Sequence, residues 1–391
     1  MGGNGTGADR LTDGLAANAA GPHQGRRWRG VRIPDRPLAR LPRWAALLLV
    51  ALFVATSAWT IFSLGTRDLA HNADIAERTA RGGSKDMDLY RAVHAEVRAG
   101  ENYYAAATQA NRAMGYPTRP FVTIRPPVLA WGAKLWGDSG WRAIAAILWV
   151  ANAVAWVVAL GKRGSDWEKR GAMALSLFGG AAALIPEVPY SHELQSGLLI
   201  SLGLALSTTR WWPGALVAIV LGIALRELAT PVLLAWGAVV LVAGERRKLL
   251  AIAVAAMLVA VGLWLHAQGV EAQLRPGDQA SPGWSGMHGP SLAFYGINLT
   301  TLLQTMPGWI AGPLCVLPLL GWIALGGRMG VLATLWFGGF IFAVSVFARQ
   351  ENFYWMALFV PAYCVGLAFV PRALCDLRAA IMPRPVSSAR T

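Results

Sequence analysis

Trp44-Ala45-Ala46-Leu47-Leu48-Leu49-Val50-Ala51-Leu52-Phe53-Val54-Ala55-Thr56-Ser57-Ala58-Trp59-Thr60-Ile61-Phe62-Ser63-Leu64 is an apolar run without one charged residue. Its length is what a helix needs to cross a hydrocarbon core of roughly 30 Å. Before it, residues 1–43 are rich in Gly and Ala and carry Arg26, Arg27, Arg29, Arg32, Arg36, Arg40 and Arg43. With several prolines and no sustained period, they read as a disordered basic cytoplasmic tail. A cleavable signal peptide would bring its apolar region earlier and end it at a small-residue site. The arginines set the N-terminus inside, so the chain emerges outside after Leu64.

What holds for this run holds for most of the chain. Of 391 residues, 55% are hydrophobic and 14% charged, too little charge to cover a soluble protein. The fold class is therefore all-α, a polytopic transmembrane helical bundle. The net charge of +14 sits in tails and short loops, as the positive-inside bias requires, so no nucleic-acid partner is expected. Cys315, Cys364 and Cys375 form neither a disulfide framework nor a metal spacing; they read as small hydrophobes.

Further apolar runs extend the reading. Trp141–Leu160 crosses inward to Lys162, Arg163, Lys169 and Arg170. Alternation continues through Gly171–Ile185, Ser196–Ser207, Gly214–Leu225, Pro231–Val242 and Leu249–Leu265. Trp309–Leu325, Val331–Phe347 and Phe353–Val370 complete about ten spans, and Val128–Trp136 is a candidate partial helix. The transmembrane domain is 44–371, with a first outer loop at 65–140 containing amphipathic helices and a second at 266–296; 372–391 is a cytoplasmic tail. This arrangement is expected in the cell inner (plasma) membrane, with both termini cytoplasmic and the active face extracytoplasmic.

The same topology brings Asp86, Asp88, Arg125, Glu187, His192, Glu193, Arg226, Glu227, Arg349 and Glu351 to the outer face. Ionisable groups at span ends carry a desolvation cost and tend to be paired or functional. Asp86 and Asp88 follow Ser84, a favourable N-cap, and fall in a first helical turn where the dipole favours acids. Helical phase separates them. Asp86 shares the apolar stripe of Leu89, Tyr90, Val93 and Val97, whereas Asp88 lies on the flank with Arg91. An acid on that stripe is a candidate general base, and Asp88 is the second catalytic candidate.

Arg125-Pro126-Pro127 stops the chain at the membrane surface, because two prolines cannot continue a helix inward. Its arginine suits either a phosphate or a lipid headgroup. His192 and Glu193 lack a third ligand at a metal-like spacing and read as structural or substrate contacts. Arg226 and Glu227 read as a buried network framing the site. Arg349 and Asn352, beside Phe353, Tyr354 and Trp355, suit a lipid-linked phosphate and a sugar, although interfacial aromatics alone are ordinary.

With these residues in place, Asp86…Tyr90, Gly100…Tyr103-Tyr104 and Arg125-Pro126-Pro127 resemble, in order, the first outer loop of the GT-C class of membrane glycosyltransferases. The likeness is to the polyprenol-phosphate-mannose-dependent mannosyltransferase group, which usually has an aromatic residue where Arg125 stands. The resemblance implies inverting transfer of a mannose-like sugar from a polyprenyl-phosphate donor to a lipid or glycan acceptor. Asp86 would be the base and Arg125, Arg226 or Arg349 would stabilise the leaving phosphate. Membrane lipids are the other expected partners. No cofactor is implied, and no spacing indicates a divalent metal. The competing reading is a transporter or flippase of lipid-linked saccharides, which needs a polar path through the spans; no internal repeat of the transporter kind is evident.

Overall fold

The computed structural model describes residues 31, 33–80 and 86–382, side chains at 74–80 and at Asp86 excepted. Regular structure in that range is helical, and the β pairing among the described residues amounts to isolated bridges, Asp35 with Gly326 and Arg119 with Ala280. The first span lies in α1 (Arg43–Ala80), followed by amphipathic α2 (Asp86–Ala99) and α3 (Tyr103–Ala113). Next come α4 (Val128–Leu160), α5 (Asp166–Gly179), α6 (His192–Leu206), α7 (Trp212–Leu225) and α8 (Thr230–Ala243). After α9 (Arg246–Glu271), α10 (Pro290–Leu299), α11 (Gly308–Leu325) and α12 (Gly327–Phe347), the chain turns through 3-10 segments Gln350–Leu358 and Cys364–Phe369. These flank α13 (Val360–Tyr363), and α14 (Val370–Ile381) ends the described chain.

Five helical segments are long and apolar enough to cross a membrane, or six if the bent pair Gln350–Leu358 and Val360–Ile381 is one span. Helices α5, α7 and α8 have 14 residues each and α6 has 15, a rise of about 21–23 Å against a core of roughly 30 Å. Much of the apolar character of the last three serves packing inside the protein. Leu198, Ile200, Ile219, Ile223, Val232 and Leu233 are all buried. By contrast α9 shows Leu250, Val254, Met257, Leu258, Val261 and Trp264 to the outside, the pattern of a lipid-facing helix.

Trp322 sits at the centre of the bundle. Its ring lies 5.3 Å from Trp156, 5.6 Å from Phe337 and 5.4 Å from Phe369, and its Nε1 donates to the Tyr363 carbonyl at 3.1 Å. Gly321 of α11 and Gly366 let two backbones approach there, since a Cβ on either would strike a carbonyl oxygen of the other segment. Small residues serve this purpose wherever helices pack without a hydrophobic driving force.

Several boundaries differ from the sequence reading. α1 runs on past Leu64 to Ala80, into the stretch read as loop. The basic tail is docked in its last part: Leu38 is buried and Arg36 pairs with Asp376 of α14. The stretch after 371 is likewise helical to Ile381, because Asp376 and Leu377 are buried against the bundle. Val128–Trp136 joins the next span in α4 across a kink at Gly137, whose φ of 71° suits glycine. Residues 1–30 and 383–391, and Ser84 with its expected cap, lie outside the described residues.

Candidate active site

The amphipathic α2 buries Leu89, Val93 and Val97 against Tyr103, Ala106, Ala107 and Ala110 of α3, with Ile124 and Val270 completing the cluster. That packing follows directly from helical spacing. It lays both helices across the end of the bundle and leaves Tyr90 at the edge of a cavity.

The backbone leading to Arg125 is fixed by two buried side chains. The Tyr103 hydroxyl donates to the Arg125 carbonyl at 2.5 Å, and His266 Nε2 lies 3.0 Å from the Ile124 carbonyl. Burial pushes the Tyr103 phenol far above its ordinary range, so it remains a donor. α3 is tied to the segment between α9 and α10 by Arg112, which reaches both oxygens of Asp278 at 2.6 and 2.8 Å and the Gln273 carbonyl at 2.6 Å. Thr118 N also donates to the Gln279 carbonyl, and Ser281 N to the Arg119 carbonyl.

These constraints frame a cavity of about 250 Å³ at the C-terminal end of α12. Tyr90, Arg125, Arg226, Glu227, Arg349, Asn352 and Tyr354, all singled out in the sequence, line it. So do Asn111, Tyr116, Pro117, Ser281, Trp284, Glu351 and Trp355. Arg226, only 1% exposed, is neutralised: its Nε meets Glu193 Oε1 at 2.7 Å and its Nη1 meets Glu227. Arg125 is held differently. Its Nε and Nη2 lie 3.2 Å from the Tyr90 and Tyr354 hydroxyls, and the nearest carboxylate, Glu193, is at 3.8 Å. Arg349 pairs with Glu351 at 3.0 Å while its buried Nε meets no partner. Its backbone N–H donates to Asn352 Oδ1 at 3.1 Å, which starts the final turn.

The remaining expected residues fall around this cavity. Glu193 lies beneath it, bridging Arg226 and Arg125. His192 is stacked behind Tyr90, with ring centroids 4.8 Å apart. Asp88 turns outward to Arg91 at 2.8 Å. Asp86 begins the helix whose Leu89 and Tyr90 line the cavity; its side chain lies outside the described residues. Among the described residues no three His, Cys, Asp or Glu side chains converge as a metal site.

A second, apolar groove of about 320 Å³ opens beside the first, between the start of α4, the end of α7 and the C-terminal half of α9. Pro126, Pro127, Trp131, Ile223, Leu258 and Leu263 line it. Arg125 faces the polar cavity and the next two residues face the apolar groove, so a molecule with a charged head and a long apolar tail would fit the pair. The groove escaped the sequence reading because its walls come from three distant helices. Asn111 and Trp284 escaped it because neither stands beside another charged or motif residue. No family model, curated protein or solved structure matches the chain.

Proposed function

We propose that this chain is an inverting, GT-C-like glycosyltransferase that crosses the membrane about ten times, with both termini inside and the arginine cavity outside. Its donor would be a polyprenyl-phosphate sugar, mannose-like, and its acceptor a lipid or glycan hydroxyl. The observation that carries this reading is the junction at Arg125-Pro126-Pro127, where a polar cavity meets an apolar groove. The donor phosphate would sit at that junction with its tail along the groove.

In this reading Asp86 accepts the proton of the acceptor hydroxyl as its oxygen attacks the anomeric carbon. The bond from that carbon to the phosphate oxygen breaks, and its electron pair leaves with the phosphate. Arg125 and Arg349 receive the developing charge. Arg226, already held by two carboxylates, keeps the frame in place. Tyr354, Asn352 and Trp284 line the space left for the sugar.

The test is incubation of the purified chain in detergent with labelled polyprenyl-phosphate sugars and candidate acceptors, with and without chelator, followed by product analysis. Transfer with inverted anomeric configuration is expected. A chain that moves the intact lipid-linked sugar across vesicles without cleaving it would favour the transporter reading instead.

A further inference from the structure

The opposite end of the bundle holds a larger cavity, of about 930 Å³. Met329, near the start of α12, lines it, and Arg349, just past the end of α12, lines the outer cavity. The 21 residues of α12 rise about 30 Å, close to the thickness of a hydrocarbon core. The two cavities thus lie at the two ends of a membrane-spanning length.

The floor of the larger cavity is apolar, built by Leu160, Leu175, Leu325 and Leu367. Its rim is charged. Arg36 pairs with Asp376, and Arg372 reaches both Glu168 oxygens at 2.7 Å. Arg163 lies on this rim and also on the wall of an adjoining polar cavity of about 440 Å³, with Asp35, Arg40 and Arg328. Arg328 pairs with Glu245. Among the described residues Arg40 and Arg163 meet no carboxylate, and Asp35 meets no cation. Glu245 is shared between Arg328 and Lys248, so among the described residues the two rims carry an excess of positive charge, placed where an apolar floor meets a polar chamber. Trp167, 78% exposed, stands at the edge, as tryptophan does at membrane interfaces.

We propose that this double cavity holds an anionic phospholipid of the inner leaflet. An acyl chain lies on the leucine floor, the phosphodiester faces Arg163, and a hydroxylated headgroup extends toward Asp35 and Arg40. The negative charge of a phosphodiester complements the positive excess at the rim. A choline headgroup would set a second cation among arginines, and a soluble anion would leave the apolar floor unused. Basic pockets between helices on the cytoplasmic side are suited to anionic headgroups on these grounds. The proposal does not depend on glycosyl transfer at the other face.

Native mass spectrometry of the full chain in non-ionic detergent, offered equal phosphatidylglycerol and phosphatidylcholine, tests this. Phosphatidylglycerol is expected to be retained preferentially, and Arg163→Gln to reduce that preference about fivefold. Arg210→Gln removes an exposed arginine that stacks on Trp211 at 5.1 Å and lines neither cavity; it should leave the preference unchanged. A second readout uses Cys375, exposed on the cavity wall while Cys315 and Cys364 are buried. Phosphatidylglycerol should slow maleimide labelling of Cys375, and inorganic phosphate should not. Equal retention of both lipids, an equal loss in Arg210→Gln, or protection by inorganic phosphate alone would overturn the proposal.

Discussion

Arg226 and Arg349 line one cavity yet answer to different physics. Arg226 is buried between Glu193 and Glu227, so Arg226→Ala leaves Glu227 without its cation and Glu193 with only Arg125, at 3.8 Å. Breaking a buried pair in this way costs about 3–5 kcal/mol, and thermal unfolding in detergent should show a correspondingly large loss, with Glu193→Gln smaller. Arg349 is 30% exposed; Arg349→Gln should change stability by less than about 1 kcal/mol. If Arg349 receives the leaving phosphate, the same substitution lowers turnover on the order of 10²–10³-fold. Comparing melting temperature with turnover for both variants separates frame from reaction. That both arginines fall at helix ends was legible from where the apolar runs stop, and they line one cavity. Their division of labour was not, since it depends on how Glu193, 33 residues from Arg226, packs beneath it.

Among the elements, α2 carries its own pH dependence. His94 is buried against Tyr190, and its Nδ1 lies 3.4 Å from Asp138. Burial lowers its pKa below the ordinary 6.5, and Asp138 offsets this only in part. The unfolded chain therefore binds a proton here at higher pH than the folded chain does. Stability is full above about pH 6.5 and falls as pH drops toward the folded value. Melting temperature should decline over that window, and His94→Gln should flatten the decline; an unchanged slope would remove His94 as its source. Helical spacing made α2 legible, since Leu89, Val93 and Val97 recur at 3–4 residues. The Arg112–Asp278 tie was not legible: its partners are 166 residues apart, and no local pattern encodes a meeting of two loops. Nor did apolar composition separate residues that face protein from those on the outside of the bundle, because Ile219 and Val232 are buried while Leu250 and Met257 are exposed.

At the scale of the whole molecule, an apolar bundle separates two polar ends, each joined to an apolar groove or floor. Under the proposed function, such a design suits amphipathic ligands at both ends, with the donor phosphate at the Arg125 junction. Filling the apolar groove with Leu263→Trp, at a partly buried wall position, should raise the KM for a long-chain donor more than for a short-chain one. Equal effects on the two would argue that the tail lies elsewhere. The most direct test is sugar transfer by Asp86→Asn, measured on purified protein whose melting temperature matches the wild type. The account predicts a loss of turnover on the order of 10²–10⁴-fold with donor binding retained. Turnover close to wild type would contradict it.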